Sequence, residues 1–369
     1  MTGPDDQERV RARRLVSQGL AGPRDRTPED VVGRLLAVQA QDGRGFRLAV
    51  RSRTSGLVAT DVDEALSDRR LLVTWLNRGT LHLVRSEDYR WLHPLTAPRV
   101  VAGVERRLRQ LGVGPADQER GAAVIVGSLE AEGPLDRHAL RDRLDAEGVP
   151  TAGQALVHLL AVTSLRGLTV RGPVLDGRHA FVAVDRWLGP APAPVDRDEA
   201  LGRLARRYLV GHAPADPRDL ATWAGITLTD ARAACALAGA DPDGAAGGQG
   251  GAQDPPVRPP AAPARLLGPF DPVLHGWHDR GPFVGAHRSV VTVNGIFRAS
   301  CLVGGRVVGT WTLPSGRVEL DLLEPIAARD QVALDEDAAD VLRFLGRDPA
   351  PPPAVGPTPS TRHGRGSSL

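Results

Sequence analysis

The segment Val38-Gln39-Ala40-Gln41-Asp42 sets two neutral carboxamides on either side of one small apolar residue. A carboxamide is neither a nucleophile nor a proton-transfer base at neutral pH. It can hold a water through one edge and present a carbonyl dipole to a developing cation through the other. Such a pair suits a bond cleavage whose leaving group needs no proton. Asp42 reads as a solvated acid at a helix end. His275 and His278 have the H-x-x-H spacing of metal ligands, but no third ligand lies near them in sequence and Trp277 falls between. An ordinary histidine pair is the expectation there, with no metal and no cofactor. Asp271, in Gly-Pro-Phe-Asp-Pro, reads as the organiser of a turn with Pro272.

Elements must hold the two glutamines. Thr27 suits a helix cap, Pro28 the first turn and Asp30 the capping-box position, so residues 27 to 41 read as one helix. Val31, Leu35, Leu36 and Val38 form its buried stripe. In a regular helix residues i and i+2 diverge. Gln39 and Gln41 then share a site only if the helix breaks near them, and Gly43 and Gly45 supply the break. Helices from about Phe46 to Arg53 and from Asp61 to Ser67 follow. Residues 72 to 84 read as two strands around Asn77-Arg78-Gly79, and Ser86 reads as the cap of a helix carrying Trp91.

Three helices and a hairpin are the order of a winged helix-turn-helix, and the order recurs. Helices over 119 to 132, Asp136 to Glu147 and Thr151 to Leu165 precede β-rich runs Gly167 to Arg171 and His179 to Val184, joined at Asp176-Gly177. A third set of helices runs Arg197 to Val210, Pro217 to Trp223 and Thr229 to Leu237. The predicted fold class is α+β, mainly helical, with three tandem winged helix-turn-helix motifs and a β-rich C-terminal part. The predicted units are 8–100, with the Gln-x-Gln site and hairpin, then 101–190 and the helices 197–238. A flexible insertion follows at 239–263, a β-rich part at 264–346 and a disordered tail at 347–369. Within 289 to 323, Asn294-Gly295 and Gly304-Gly305 read as hairpin turns, and a closing helix covers 335 to 345.

Composition removes several chemistries. The 46 basic residues are all arginine, so lysine Schiff-base chemistry and a lysine-dependent phosphate loop are excluded. A net charge of +2 argues against a uniformly basic nucleic-acid binder. The clusters Arg106-Arg107-Leu108-Arg109, Arg137 to Arg143 and Arg203 to Arg207 read singly as solvated helix faces. Cys235 and Cys301, in unrelated segments, give no disulfide framework and no cysteine-rich zinc site. No apolar run suits a membrane span or a signal core, so a cytoplasmic protein with no membrane partner is expected.

Four motifs carry a resemblance: VQAQD at 38–42, TWLNRGTLHLV at 74–84 with the Trp91 helix, LATWAGI at 220–226 and LLGPFDPVLHGWHDR at 266–280. Over residues 8 to 346, the 239–263 insertion excepted, the chain resembles the AlkZ-like winged-helix DNA glycosylases of actinomycetes and their relative YcaQ. The resemblance implies tandem winged helices around a DNA-binding channel. It also implies a catalytic signature of Gln, an apolar residue and Gln or Asp, here Gln39, Ala40 and Gln41; Ala40 is smaller than the usual aliphatic residue. The implied substrates are N7-alkylated purines, including those in interstrand crosslinks, in double-stranded DNA; some members protect producers of DNA-alkylating antibiotics.

N7 alkylation makes the purine cationic, so it departs as a neutral base without an acid. Gln39 and Gln41 are then assigned jointly to water positioning and oxocarbenium stabilisation. On the hairpin, Arg78 suits phosphate, and Thr80 and His82 suit approach to the lesion. The absence of lysine points to a monofunctional enzyme that leaves an abasic site, and a monomer is expected. The alternatives are a non-catalytic winged-helix DNA-binding protein, either a transcription regulator or a DNA-bound resistance protein, and an interaction scaffold that needs no glutamine pair. A regulator calls for a dimerisation element and a base-reading helix, and no coiled-coil seam is evident.

Overall fold

The computed structural model describes residues 4–239 and 262–347. Almost all of the 239–263 insertion and of the tail lies outside those residues. The first group of elements is α1 (Pro4–Ser17), α2 (Pro28–Leu35), β1 (Val38–Gln39), α3 (Gly43–Arg51), α4 (Ala59–Ser67), β2 (Leu71–Leu76), β3 (Thr80–Arg85) and α5 (Ser86–Thr96). Next come α6 (Pro98–Gln110), α7 (Pro115–Glu132), β4 (Leu135–Asp136), α8 (Arg137–Ala146), α9 (Ala155–Leu165), β5 (Thr169–Leu175), β6 (Arg178–Ala183) and α10 (Val184–Leu188). A helical trio follows: α11 (Arg197–His212), α12 (Pro217–Ala224) and α13 (Leu228–Leu237). The chain closes with β7 (Arg265–Leu267), α14 (Gly281–Val284), β8 (Ser300–Val303), β9 (Arg306–Thr312), β10 (Glu319–Leu322) and α15 (Ala328–Phe344). The architecture is mixed α+β, mostly helical, with antiparallel sheets.

The two predicted hairpins do not stand apart. They join edge to edge in one six-stranded sheet of order β1-β3-β2-β5-β6-β4, with Val73 of β2 opposite Arg171 of β5. Each hairpin turn takes left-handed residues, Asn77 and Gly79 in the first and Asp176 and Gly177 in the second, as the sequence signals require. β2 reads Leu-Leu-Val-Thr-Trp-Leu, with no polar side, because it is buried on both faces. Val73, Trp75 and Leu83 enter one core; Leu72, Leu76 and Val84 enter the other. A second sheet, β10-β9-β8-β7, turns at Gly304-Gly305 as expected.

Four expectations need correction. The helix read over 27 to 41 stops at Leu35. Leu36 takes φ 64° and ψ −44°, and the Ala37 N–H donates to the Leu35 carbonyl at 2.8 Å. This γ-turn swings the chain into β1, which pairs with β3. Gly43 and Gly45 end no helix; they open α3, which Asp42 caps through its Oδ1 to the Gly45 N–H at 2.6 Å. Ser86 is the first residue of α5 rather than its cap, and its hydroxyl is buried without a partner. The Ser-Val-Val-Thr-Val-Asn-Gly run forms no ladder, only a 3-10 turn and an isolated bridge between Val291 and Phe297. Val290 there is buried but Val293 is wholly exposed, so the run does not keep one buried face along its length.

Candidate active site

The strand beneath the glutamines decides their geometry. Side chains two apart on a strand share a face. The Ala40 N–H donates to the Leu81 carbonyl at 2.7 Å and carries the extended run past β1. Gln39 and Gln41 therefore face the same way, and the Gln39 Nε2 donates to the Gln41 Oε1 at 2.5 Å. Gln39 is buried and Gln41 is exposed. Ala40 points into the opposite core, which accounts for an apolar residue between two amides. The orientation that the sequence reading sought from a broken helix comes from a strand.

His82 lies directly across from Gln39, and Thr74 directly across from His82 on the next strand. Cross-strand partners share a face, so Gln39, His82 and Thr74 form one row, with Thr80 two residues along β3. His82 is buried, and its Nδ1 lies 2.9 Å from the Thr80 carbonyl. Nδ1–H is the donor, which leaves Nε2 as an acceptor. Burial first, then Arg78 and His275, push its pKa down to about 3, against the opposing Thr80 bond. It is neutral at physiological pH.

The hydroxyls of Thr74 and Thr80 and both ends of the Asn77 carboxamide are buried without partners among the described residues. Native proteins leave few such groups, and here several fall on one wing. Thr74 escaped the sequence reading, and Asn77 was read there only as a turn residue. The available signal was a threonine inside an otherwise apolar strand.

Arg78 sits exposed at the tip of the wing and donates to the Thr222 carbonyl at 3.2 Å. The tip lies against Gly225, where an added Cβ would come 3.1 Å from the Asn77 carbonyl oxygen. The LATWAGI motif thus seats the wing. Thr80 and His82 lie beside Gln39; Arg78 is separated at the tip.

The LLGPFDP motif seats α3. A Cβ on Gly45 would come 2.4 Å from the Pro269 oxygen, and one on Gly268 would come 2.8 Å from Leu48. Asp271 does organise its turn, accepting from the Val273 N–H at 3.0 Å. It also holds Arg53 with two bonds, at 2.9 and 3.0 Å, and both side chains are fully buried. Arg53 further donates to the carbonyl and side chain of Gln18, so α1, the end of α3 and this motif form one network. Arg51 pairs with Asp337 of α15 at 2.7 Å.

His275 is buried, with Nε2 2.8 Å from the Phe270 carbonyl, while His278 is exposed beside Thr222. They do not converge, and no group of three metal-capable side chains occurs among the described residues.

The site thus joins an amide pair, one member buried and one exposed, to a neutral histidine on a sheet that two wings share. Residues 32–344 match the family described as DNA glycosylase AlkZ-like, and the chain belongs to that family. It is a DNA N-glycosylase. The chain is similar to an interstrand DNA cross-link repair glycosylase of Streptomyces sahachiroi, 26% identical over 359 residues that cover 91% of this chain and 96% of that one. The solved structure of Streptomyces sahachiroi DNA glycosylase AlkZ resembles it with a TM-score of 0.73 at 25% identity, covering 93% of this chain and 98% of that chain.

Proposed function

We propose that this enzyme hydrolyses the N-glycosidic bond of N7-alkylated purines in duplex DNA, bulky and crosslinked ones included, and leaves an abasic site. The observation that carries this reading is the electrical neutrality of the candidate site. Glycosidic hydrolysis ordinarily uses two carboxyl groups, one to protonate the leaving group and one to support the sugar or activate water. Here the two facing groups are amides and the adjacent histidine is neutral. The neighbouring carboxylate, Asp42, is engaged as a helix cap. A purine already cationic through N7 supplies what the site lacks. Gln39 and Gln41 jointly position the water and set carbonyl dipoles toward the oxocarbenium-like sugar. His82 and Thr80 line the approach, with Thr74 behind them, and Arg78 holds a phosphate at the wing tip.

The units are read as three tandem winged helix-turn-helix motifs over 8–100, 101–190 and 197–238. Hairpin β2–β3 after α2–α4 and hairpin β5–β6 after α7–α9 support the first two, and the trio α11–α13 supports the third. Among the described residues no helix is long and apolar enough to cross a membrane. The similarity to a cross-link repair enzyme supports crosslinked purines as substrates.

The test uses duplex DNA carrying one N7-methylguanine. Expected are strand breaks only after alkali, and no protein–DNA adduct on borohydride reduction, because none of the 369 residues is lysine. Breaks without alkali, or a trapped adduct, would contradict a monofunctional enzyme. A duplex crosslinked through two N7 atoms should separate into single strands on treatment.

A further inference from the structure

Residues two apart in β2 share a face and neighbours alternate, so Trp75 faces away from the row of Thr74, His82 and Gln39. On that opposite side a cavity of about 350 Å³ opens at the second wing, lined by Arg137, Arg171, Arg178, His179 and Phe181, with Asp136 at its edge. The Asp136 carboxylate is spoken for. It accepts from the His138 and Ala139 N–H groups at 2.9 Å and pairs with Arg178 at 3.0 Å.

Arg171 is different. Its guanidinium lies over Trp75 and Phe181, 4.8 and 5.0 Å from their ring centres. Its Nε is sealed from solvent without a partner, and the side chain makes no ion pair with any described residue. The His179 Nδ1 is likewise buried and unpartnered. Burial, with Arg137 nearby, lowers the Arg171 pKa to about 10, which still leaves it charged. Arg171 is half-buried, with its Nε dehydrated and no counter-charge beside it among the described residues; partial desolvation of an unpaired cation is costly, and an arriving anion offsets that cost.

We propose that this pocket holds one backbone phosphate of the DNA strand at a point separate from the base-release site. The inference rests on the glycosylase reading above. A strand phosphate fits better than a free anion because the pocket connects to the catalytic segment. Phe46 lies in the first turn of α3, the helix that starts just after Gln41 and Asp42, and its ring is 5.7 Å from that of His179. The pocket therefore adjoins the start of the helix that follows Gln41 and Asp42. Arg44, exposed on that turn, extends the positive surface between the pocket and Gln41, whereas Arg47, 4.6 Å over the Phe46 ring, is paired with Asp63.

The experiment measures binding of undamaged and N7-methylguanine duplexes against salt concentration. It uses the wild type, Arg171→Gln and Arg137→Gln, the last an exposed residue with no ion pair among the described residues. Losing one phosphate contact should lower the log–log salt slope by about 0.9 in Arg171→Gln. Both duplexes should weaken equally, and single-turnover base release at saturating protein should keep its rate. Arg137→Gln should lower the slope in the same direction; should Arg171→Gln fail to fold, that variant alone decides. Wild-type slopes in folded variants would overturn the proposal. So would stabilisation by inorganic phosphate that Arg171→Gln loses while its DNA slope stays unchanged, since the pocket would then serve a free anion. A lowered slope in a protein whose wild type releases no base would leave the pocket standing and remove the glycosylase reading instead.

Discussion

Gln39 and Gln41 act as a hydrogen-bonded pair, so one orients the other, and neither can titrate near neutral pH. His82 beside them stays neutral until about pH 3. The rate of N7-methylguanine release should therefore be flat from about pH 6.5 to 9 once background depurination is subtracted. A bell-shaped profile in that range would reveal an acid or base that this site does not contain. Thr74 offers a second test at this scale. Its hydroxyl is buried and unpartnered, and an unsatisfied hydroxyl costs roughly 1–3 kcal/mol. Thr74→Val should raise the melting temperature and slow base release. A rise with unchanged release would mean that the substrate never uses the hydroxyl. The glutamine pair itself was legible in the sequence, because two amides flanking an apolar residue are unusual chemistry. Thr74 and Asn77 were not, since their significance depends on which neighbours fail to bond them.

At the level of elements, the turn at Leu36 and the start of α3 place the pair. Val31, Leu35, Leu36 and Val38 fit a helical stripe, so local pattern alone extends α2 through Gln41. What ends it is β3, distant in sequence, which offers Val38 and Gln39 a ladder and two cores to fill. The hairpins were legible because Asn77, Gly79, Asp176 and Gly177 state their turns locally. The union of the two wings into one sheet was not, because a single bridge between Val73 and Arg171 carries no motif. Gly45→Ala should displace the first turn of α3 from Pro269, at a cost of about 1–3 kcal/mol. Base release should fall further than the stability loss explains, because Gln41 directly precedes that turn. Normal release from a folded Gly45→Ala protein would show that this packing does not position Gln41. Asp271→Ala leaves Arg53 buried without its partner and should cost about 3–5 kcal/mol, read from denaturant unfolding.

Across the whole molecule, His82, His93, His212 and His275 are all buried, and burial is the first cause holding their pKa values at about 3, 4, 3 and 4. An unfolded histidine binds its proton below about pH 6.5, whereas these remain neutral until far lower. The unfolded chain thus binds more protons between those limits. The stability is full above pH 6.5 and is lost as pH falls toward 4, by about 1.4 kcal/mol per pH unit for each histidine. Melting temperature should drop steeply from pH 7 to pH 5, and a flat profile would contradict the neutral burial of these rings. The same folded frame ties α1, α3, α15 and the LLGPFDP motif to the segment carrying the amides, so activity assays belong above that acid transition. The central claim is that two amides suffice because the substrate brings its own charge. Single-turnover release of N7-methylguanine from duplex DNA by the wild type, Gln39→Ala and Gln41→Ala tests it directly. Each variant should lose about 10²-fold or more in rate, the effect of removing one preorganised electrostatic group, with DNA affinity and melting temperature near wild type. Release at the wild-type rate by both folded variants would contradict the account.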